Sequence, residues 1–223
     1  MTRFFILALT TMLPFFTGAR SATGEQPEEV RTRAAAATVQ VTSADDHEFG
    51  SGVAIARDKL HTYFLTAAHI LTTAKTVEVK LASGKTYLAE VIERSDETDL
   101  AVLRMPSAEK MPVLLKLAAG GVKPKSFSSV GWEKGAAPTS LEEKLKEKVR
   151  LKKPGEKNSV LCWEIERKPA GGRSGGPLVD ETGRVVGVAT GHDGTAGYYV
   201  HIDEIHAFLQ RTGLEWLAEE ERR

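Results

Sequence analysis

The run Gly171-Gly172-Arg173-Ser174-Gly175-Gly176-Pro177-Leu178 constrains this chain more than any other stretch. Its glycines bend the backbone tightly and clear side-chain bulk from both sides of one hydroxyl, and an apolar stretch follows at once. Such a loop is built to present Ser174. A serine hydroxyl alone is a poor nucleophile, so the loop gains chemistry only with a base, and a group orienting that base, elsewhere in the chain. His69, ending Leu65-Thr66-Ala67-Ala68-His69, and Asp99, opening Asp99-Leu100-Ala101-Val102-Leu103, supply those residue types. Taken singly, each has a plainer reading: Ser174 as a turn hydroxyl, His69 as a structural histidine, Asp99 as a turn residue. Separations of 30 and 75 residues fix no distance, but they are compatible with loops meeting at a barrel interface.

Around these segments the pattern is one of short strands and turns. Val39 and Val41 alternate with Gln40 and Thr42, and residues 49–56 form a second strand in which Gly50-Ser51-Gly52 permits close backbone approach. Residues 62–66 lead through a tight turn to His69, residues 77–81 and 85–92 make a hairpin around Ser83-Gly84, and 100–103 is a buried strand. Six strands suit one small barrel. In the connection 106–124, Val113-Leu114-Leu115 and Leu117 add a strand or pack across the barrel seam. Further strands are expected at 126–132, 158–165, 178–179, 185–189 and 197–202. Asp203 then caps a helix over 204–211 that turns Ile205, Phe208 and Leu209 to the core.

The charged insertion at about 137–157 is harder to assign. Ser140 and Glu143 have capping-box spacing, and Leu141, Leu145 and Val149 recur every fourth residue, which predicts a solvated surface helix, with a twisted hairpin as the alternative. Pro154-Gly155 supplies a stop, and residues 142–157 carry seven basic and four acidic side chains.

At the start, Arg3, a mostly apolar run over 4–16 and small residues over 17–22 read as a secretory signal peptide covering 1–21. The run is too short for a membrane span, so none is expected after its removal. A secreted or periplasmic chain follows. Residues 22–35 are expected to be a flexible lead-in and 212–223 a solvated tail. Cys162 is the one cysteine, which excludes an internal disulfide, and its neighbours Leu161 and Trp163 suggest a buried thiol. With 30 Lys and Arg against 30 Asp and Glu, no general polyanion-binding surface and no nucleic-acid partner is expected. The histidines at 47, 61, 69, 192, 201 and 206 have no metal-ligand spacing, and the glycines lack the lysine of a phosphate loop, so neither metal nor cofactor is expected.

The three motifs, in this order, resemble those of the trypsin-like (chymotrypsin-fold) serine proteases, nearest the cysteine-poor bacterial branch that includes the high-temperature-requirement proteases. The resemblance covers residues 36–210. It implies an all-β fold of two six-stranded antiparallel barrels with a C-terminal helix, the first over 36–118 and the second, with the helix, over 119–211. It implies His69 as general base, Asp99 as its orienting group, Ser174 as nucleophile and the amides of Gly172 and Ser174 as an oxyanion hole. Lys168, Pro169, Ala170, Ala189, Thr190, Gly191 and His192 are the implied substrate-binding residues.

Two departures matter. Arg173 stands where digestive members carry an aspartate that pairs with a newly cleaved N-terminus, so that switch cannot operate here. Lys168, where trypsin-type pockets carry an aspartate, disfavours Arg or Lys in the substrate; a small or aliphatic preference is expected, with an acidic side chain facing Lys168, Arg173 or His192 as the alternative. The implied activity is a serine endopeptidase acting on a protein or peptide through an acyl-enzyme. Alternatives are a catalytically weak or inactive peptide-binding or scaffold protein of this fold, and a narrowly specific processing protease whose access the 137–157 insertion restricts. After the C-terminal helix, the peptide-binding module of many relatives is not expected. The resemblance allows self-association, but no interface is legible.

Overall fold

The computed structural model describes residues 26–43, 48–107, 113–133, 137–152 and 158–219. The expected signal peptide, the Pro154-Gly155 stop and the last four residues of the tail lie outside the described residues. No described helix is long and apolar enough to cross a membrane.

Six strands close the first barrel: β1 (Thr38–Ser43), β2 (Phe49–Arg57), β3 (His61–Thr66), β4 (Thr76–Lys80), β5 (Thr86–Ser95) and β6 (Leu100–Pro106), paired in the order β1-β2-β3-β6-β5-β4. Strand alternation puts Val39, Val41, Phe64, Val77, Val79 and Leu103 inside, where Ile70 and Leu71 join them from the turn after β3.

The second half holds β7 (Phe127–Trp132), β8 (Pro138–Glu143), β9 (Leu145–Leu151), β10 (Val160–Ile165), β11 (Pro177–Asp180), β12 (Val185–His192) and β13 (Gly197–His201), in the order β8-β7-β11-β12-β13-β10-β9. Its two edge strands, β8 and β9, are separated in the chain by Lys144 alone. The second half is thus a seven-stranded sheet, one strand more than expected, because the segment 138–151 supplies a strand to each edge. A C-terminal helix, Ile202–Arg211, packs Ile205, Phe208 and Leu209 against it.

Four expectations are corrected. Residues 138–151 are strands, each paired with a distant neighbour, β8 with β7 and β9 with β10. A spacing of four is also twice a spacing of two, so Leu141, Leu145 and Val149 share one side of a strand as well as of a helix, and Leu151 extends the two-residue period. Within the segment expected to be a flexible lead-in, Glu28–Ala37 is a helix, α1, that buries Ala34 and Ala37. Its alanine run favours helix and Glu28 and Glu29 sit at the positive end of its dipole. The C-terminal helix is capped by His201, whose Nδ1 accepts from the Asp203 amide at 3.1 Å, while the Asp203 carboxylate accepts from the Gly121 amide at 3.0 Å. The expected tail is folded as far as Glu215–Ala218, a 3₁₀ turn that buries Leu217 and stands Trp216 edge-on to Tyr63 at 5.0 Å.

The connection between barrels packs across the seam. The Leu115 amide donates to Ala54 O, and residues 116–118 exchange bonds with Val185, each at 2.9 Å. One apolar cluster runs through that seam, joining Val53, Leu65 and Val102 of the first barrel to Leu115, Val130 and Val188.

Candidate active site

The loop between β10 and β11 makes two tight turns, with the Arg173 amide donating to Ala170 O at 3.3 Å and the Gly176 amide to Arg173 O at 2.9 Å. Gly172 and Gly175 hold φ of +94° and +82°. A β-carbon at Gly172 would come within 2.6 Å of Trp132 O, and one at Gly175 within 2.2 Å of Ser51 O, so the loop requires glycine at both. The first barrel grips this loop through Ser51 of β2. Its amide donates to Ser174 O at 2.7 Å, and its hydroxyl donates to Gly172 O and accepts from the Trp132 amide, each at 2.8 Å. The amides of Gly172 and Ser174 have no internal acceptor among the described residues, so both N–H groups remain available to a ligand.

His69 opens a 3₁₀ turn directly after β3, and Asp99 precedes β6. These strands are hydrogen-bonded neighbours, which brings residues thirty apart in sequence side by side. His69 Nδ1 lies 2.8 Å from Asp99 Oδ2, and the His69 amide donates to Asp99 Oδ1 at 2.9 Å. The Thr190 hydroxyl donates to Asp99 Oδ2 as well. Asp99 is only 3 % exposed and holds a left-handed φ of +57°, a conformation that aspartate tolerates better than most side chains. With Nδ1 turned to the carboxylate, Nε2 is the ring's free acceptor, on a side chain 42 % exposed.

Ser174 meets this pair from the opposite barrel. A β-carbon at Gly50 would lie 2.7 Å from both Ser174 O and the Ile70 side chain, and one at Gly175 would lie 2.8 Å from the Ala67 amide. The Ser174 loop thus packs directly on the segment carrying His69. Ser174 Oγ has no hydrogen bond among the described residues.

A cavity of about 240 Å³ beside Ser174 is lined by Lys168, Pro169, Ala170, Gly171, Ala189, Gly191 and His192. Six of the seven expected substrate-binding residues are there, and the seventh, Thr190, gives its hydroxyl to Asp99 and lines the neighbouring cavity. Beyond His192 a second cavity of about 330 Å³ adds Glu97, Leu151, Val160, Cys162 and Tyr198, none of which was assigned to the site from sequence. Their lining role comes from strand pairing across the sheet, which no local motif signals. The hairpin between β12 and β13 is braced by Asp193, which accepts from the Ala196 amide at 2.8 Å, the Thr195 amide at 2.9 Å and the Tyr198 hydroxyl at 2.7 Å. Those donors, the Ala196 amide first, hold its carboxyl far below the ordinary range, and the same bond pushes the Tyr198 hydroxyl up to about 12. His192 Nδ1 accepts from the Gly194 amide at 3.1 Å, which ties that ring into the hairpin. A larger groove, about 1060 Å³, lies by Phe127, Glu143 and Arg167 and includes none of the expected site residues. Among the described residues, no cluster of His, Cys, Asp and Glu has the composition to hold a metal ion.

The trypsin-like peptidase domain family matches residues 50–188. The chain is 30% identical over 170 residues to serine protease HTRA1 of Xenopus tropicalis, covering 72% of this chain and 35% of that protein. It is 28% identical over 173 residues to serine protease Rv3671c of Mycobacterium tuberculosis, covering 74% and 42%. The chain thus spans well under half the length of these curated relatives. The crystal structure of the active form of Rv3671c protease superposes with a TM-score of 0.71 at 23% identity, covering 93% of this chain and 94% of that one.

Proposed function

This chain belongs to the trypsin-like peptidase family, and from that premise we propose that it is a serine endopeptidase working through an acyl-enzyme. Ser174 Oγ attacks the carbonyl carbon of a peptide bond, and His69 Nε2 takes its proton. Asp99 fixes the tautomer that leaves Nε2 free and offsets the charge of the imidazolium. The amides of Gly172 and Ser174 donate to the oxyanion that develops on the attacked carbonyl. His69 returns the proton to the departing amine, then activates the water that hydrolyses the ester and frees Ser174.

The observation that carries this reading is the buried Asp99 carboxylate, gripped by the His69 ring, the His69 amide and the Thr190 hydroxyl beside the seam where the Ser174 loop docks. A peptide substrate lies extended along residues 190–192, with one side chain in the 240 Å³ cavity. The small walls at Ala170, Gly171, Ala189 and Gly191 suit a small or aliphatic side chain, and Lys168 works against Arg or Lys. The leader at 1–21 directs the chain to a secreted or periplasmic location.

The test is labelling of the purified chain by a fluorophosphonate, read by intact mass. The expected result is one adduct on the wild type and none on Ser174→Ala, after which a peptide library reports the preferred residues. A folded wild type that takes up no label would move the reading to a peptide-binding protein of the same fold.

A further inference from the structure

Resting on the peptidase reading, we propose that Arg173 is a positioning residue: its buried guanidinium, linked through Ser129 to Glu143, latches the nucleophile loop in the shape that aims the Gly172 and Ser174 amides at the oxyanion.

A cation between Gly172 and Ser174 is an unexpected occupant, because Arg173 is 1 % exposed and a buried charge is costly unless it is paired and fully bonded. It is both. Nη1 donates to Glu133 Oε1 at 2.9 Å and to the Thr139 hydroxyl at 2.8 Å. Nη2 donates to Ser129 O at 2.8 Å and to Ser129 Oγ at 2.9 Å, with Thr139 O at 3.3 Å. The terminal nitrogens thus reach Ser129 of β7, Thr139 of β8 and Glu133 just past β7, and Glu133 is the carboxylate that pairs the charge. Ser129 passes the interaction on: its hydroxyl accepts from Arg173 and donates to Glu143 Oε1 at 2.6 Å. Glu143, with a side chain 2 % exposed, has Arg167 Nε 3.5 Å from its other oxygen. The result is a series from half-exposed Glu133 through buried Arg173, Ser129 and Glu143 to exposed Arg167. Gly131 completes the seat, since a β-carbon there would lie 3.0 Å from Arg173 Cα.

The consequence for the loop follows from counting peptide planes. The Arg173–Ser174 peptide contributes the Ser174 N–H, and its carbonyl is held by the Gly176 amide. The Gly172–Arg173 peptide is held at both ends, its carbonyl by Ser51 Oγ and its N–H by Ala170 O. Both planes meet at Arg173, so the anchored side chain sets the pivot they share. The Gly171–Gly172 peptide, which contributes the other N–H, has no hydrogen bond of its own among the described residues. Glycine on both sides leaves that plane free to rotate once its neighbour loosens. Freeing Arg173 therefore costs the hole before it costs the fold.

The experiment compares wild type, Arg173→Met, Arg173→Lys, Ser129→Ala, Glu143→Gln and the Ser129→Ala/Glu143→Gln double variant, each as the full chain. Read for each are the second-order rate constant of fluorophosphonate labelling, the fraction labelled at completion and the melting temperature. That reaction also places developing charge on an oxygen in the hole, so it needs no known substrate.

The expected result is a rate about 100-fold lower for Arg173→Met, the scale of losing one oxyanion donor, with labelling still reaching completion and partial recovery in Arg173→Lys. Ser129→Ala and Glu143→Gln, which leave Arg173 in place if its removal prevents folding, slow labelling several-fold. Their double variant is no slower than the worse single one, because both cut the same series. If all folded variants label at the wild-type rate, or lose only labelled fraction, Arg173 supports the fold alone and the proposal is overturned while the peptidase reading stands. A wild type that never labels overturns both.

Discussion

Asp99 shows what a single residue contributes to this site. Its backbone occupies a left-handed conformation, its side chain is buried, and three donors converge on it: the His69 ring, the His69 amide and the Thr190 hydroxyl. Hydrogen bonds to a charged acceptor are worth about 1.5–3 kcal/mol. Thr190→Val keeps the shape and removes one, and is expected to slow fluorophosphonate labelling about tenfold while lowering the melting temperature by only a few degrees. An unchanged rate would leave Thr190 as wall only. His69, Asp99 and Ser174 could be singled out from sequence because each sits in a motif whose neighbours announce it. The bond from Thr190 was not, because Thr190 and Asp99 stand 91 residues apart and Thr190 falls inside a stretch that reads equally well as pocket lining. Arg173 was legible as a departure from the family pattern, but only its partners reveal where the charge goes.

At the level of elements, strand positions in the first barrel followed from alternation, while the edge of the second barrel did not. Leu141, Leu145 and Val149 satisfy two periods at once, and the deciding contacts, β8 with β7 and β9 with β10, are set by tertiary pairing. The start of the C-terminal helix was misplaced for another reason: histidine is an uncommon cap, and Asp203 next to it is a common one. That cap has a measurable signature. His201 is fully buried against Trp163, ring centroids 4.4 Å apart, with Lys148 disfavouring its protonation and Asp203 favouring it. Burial first, then Lys148, lowers its pKa from 6.5 to about 4. The unfolded chain therefore takes up a proton below pH 6.5 that the folded chain refuses until about pH 4, and stability is lost as pH falls through that window. The loss is on the order of 3 kcal/mol at most. Denaturant unfolding of wild type and His201→Asn across pH 4–7 checks it: asparagine keeps a capping acceptor, so the slope in this window should flatten in the variant. Equal slopes would assign the acid sensitivity to other groups.

Over the whole molecule, the two barrels share one apolar cluster and are stitched by Ser51, whose hydroxyl spans Gly172 O and the Trp132 amide. Such continuity makes independent unfolding of either half unfavourable. Calorimetry is expected to give one peak with matching calorimetric and van't Hoff enthalpies. Ser51→Ala strands two buried polar groups and should move that peak down by several degrees, without splitting it, and slow labelling as well. Two separate peaks would mean the seam does not couple the halves. The double barrel was legible in outline from strand count and motif order, but the seam contacts of Leu115, residues 116–118 and Ser51 join residues too far apart for any pattern to pair. The seam also has a meaning in time. Translation delivers His69 and Asp99 first and Ser174 only 75 residues after Asp99, so on this reading a growing chain on the ribosome holds an acid–base pair with nothing to activate. Reactivity arrives late and all at once, when the second half closes over the first, and the nascent chain is spared its own chemistry until then.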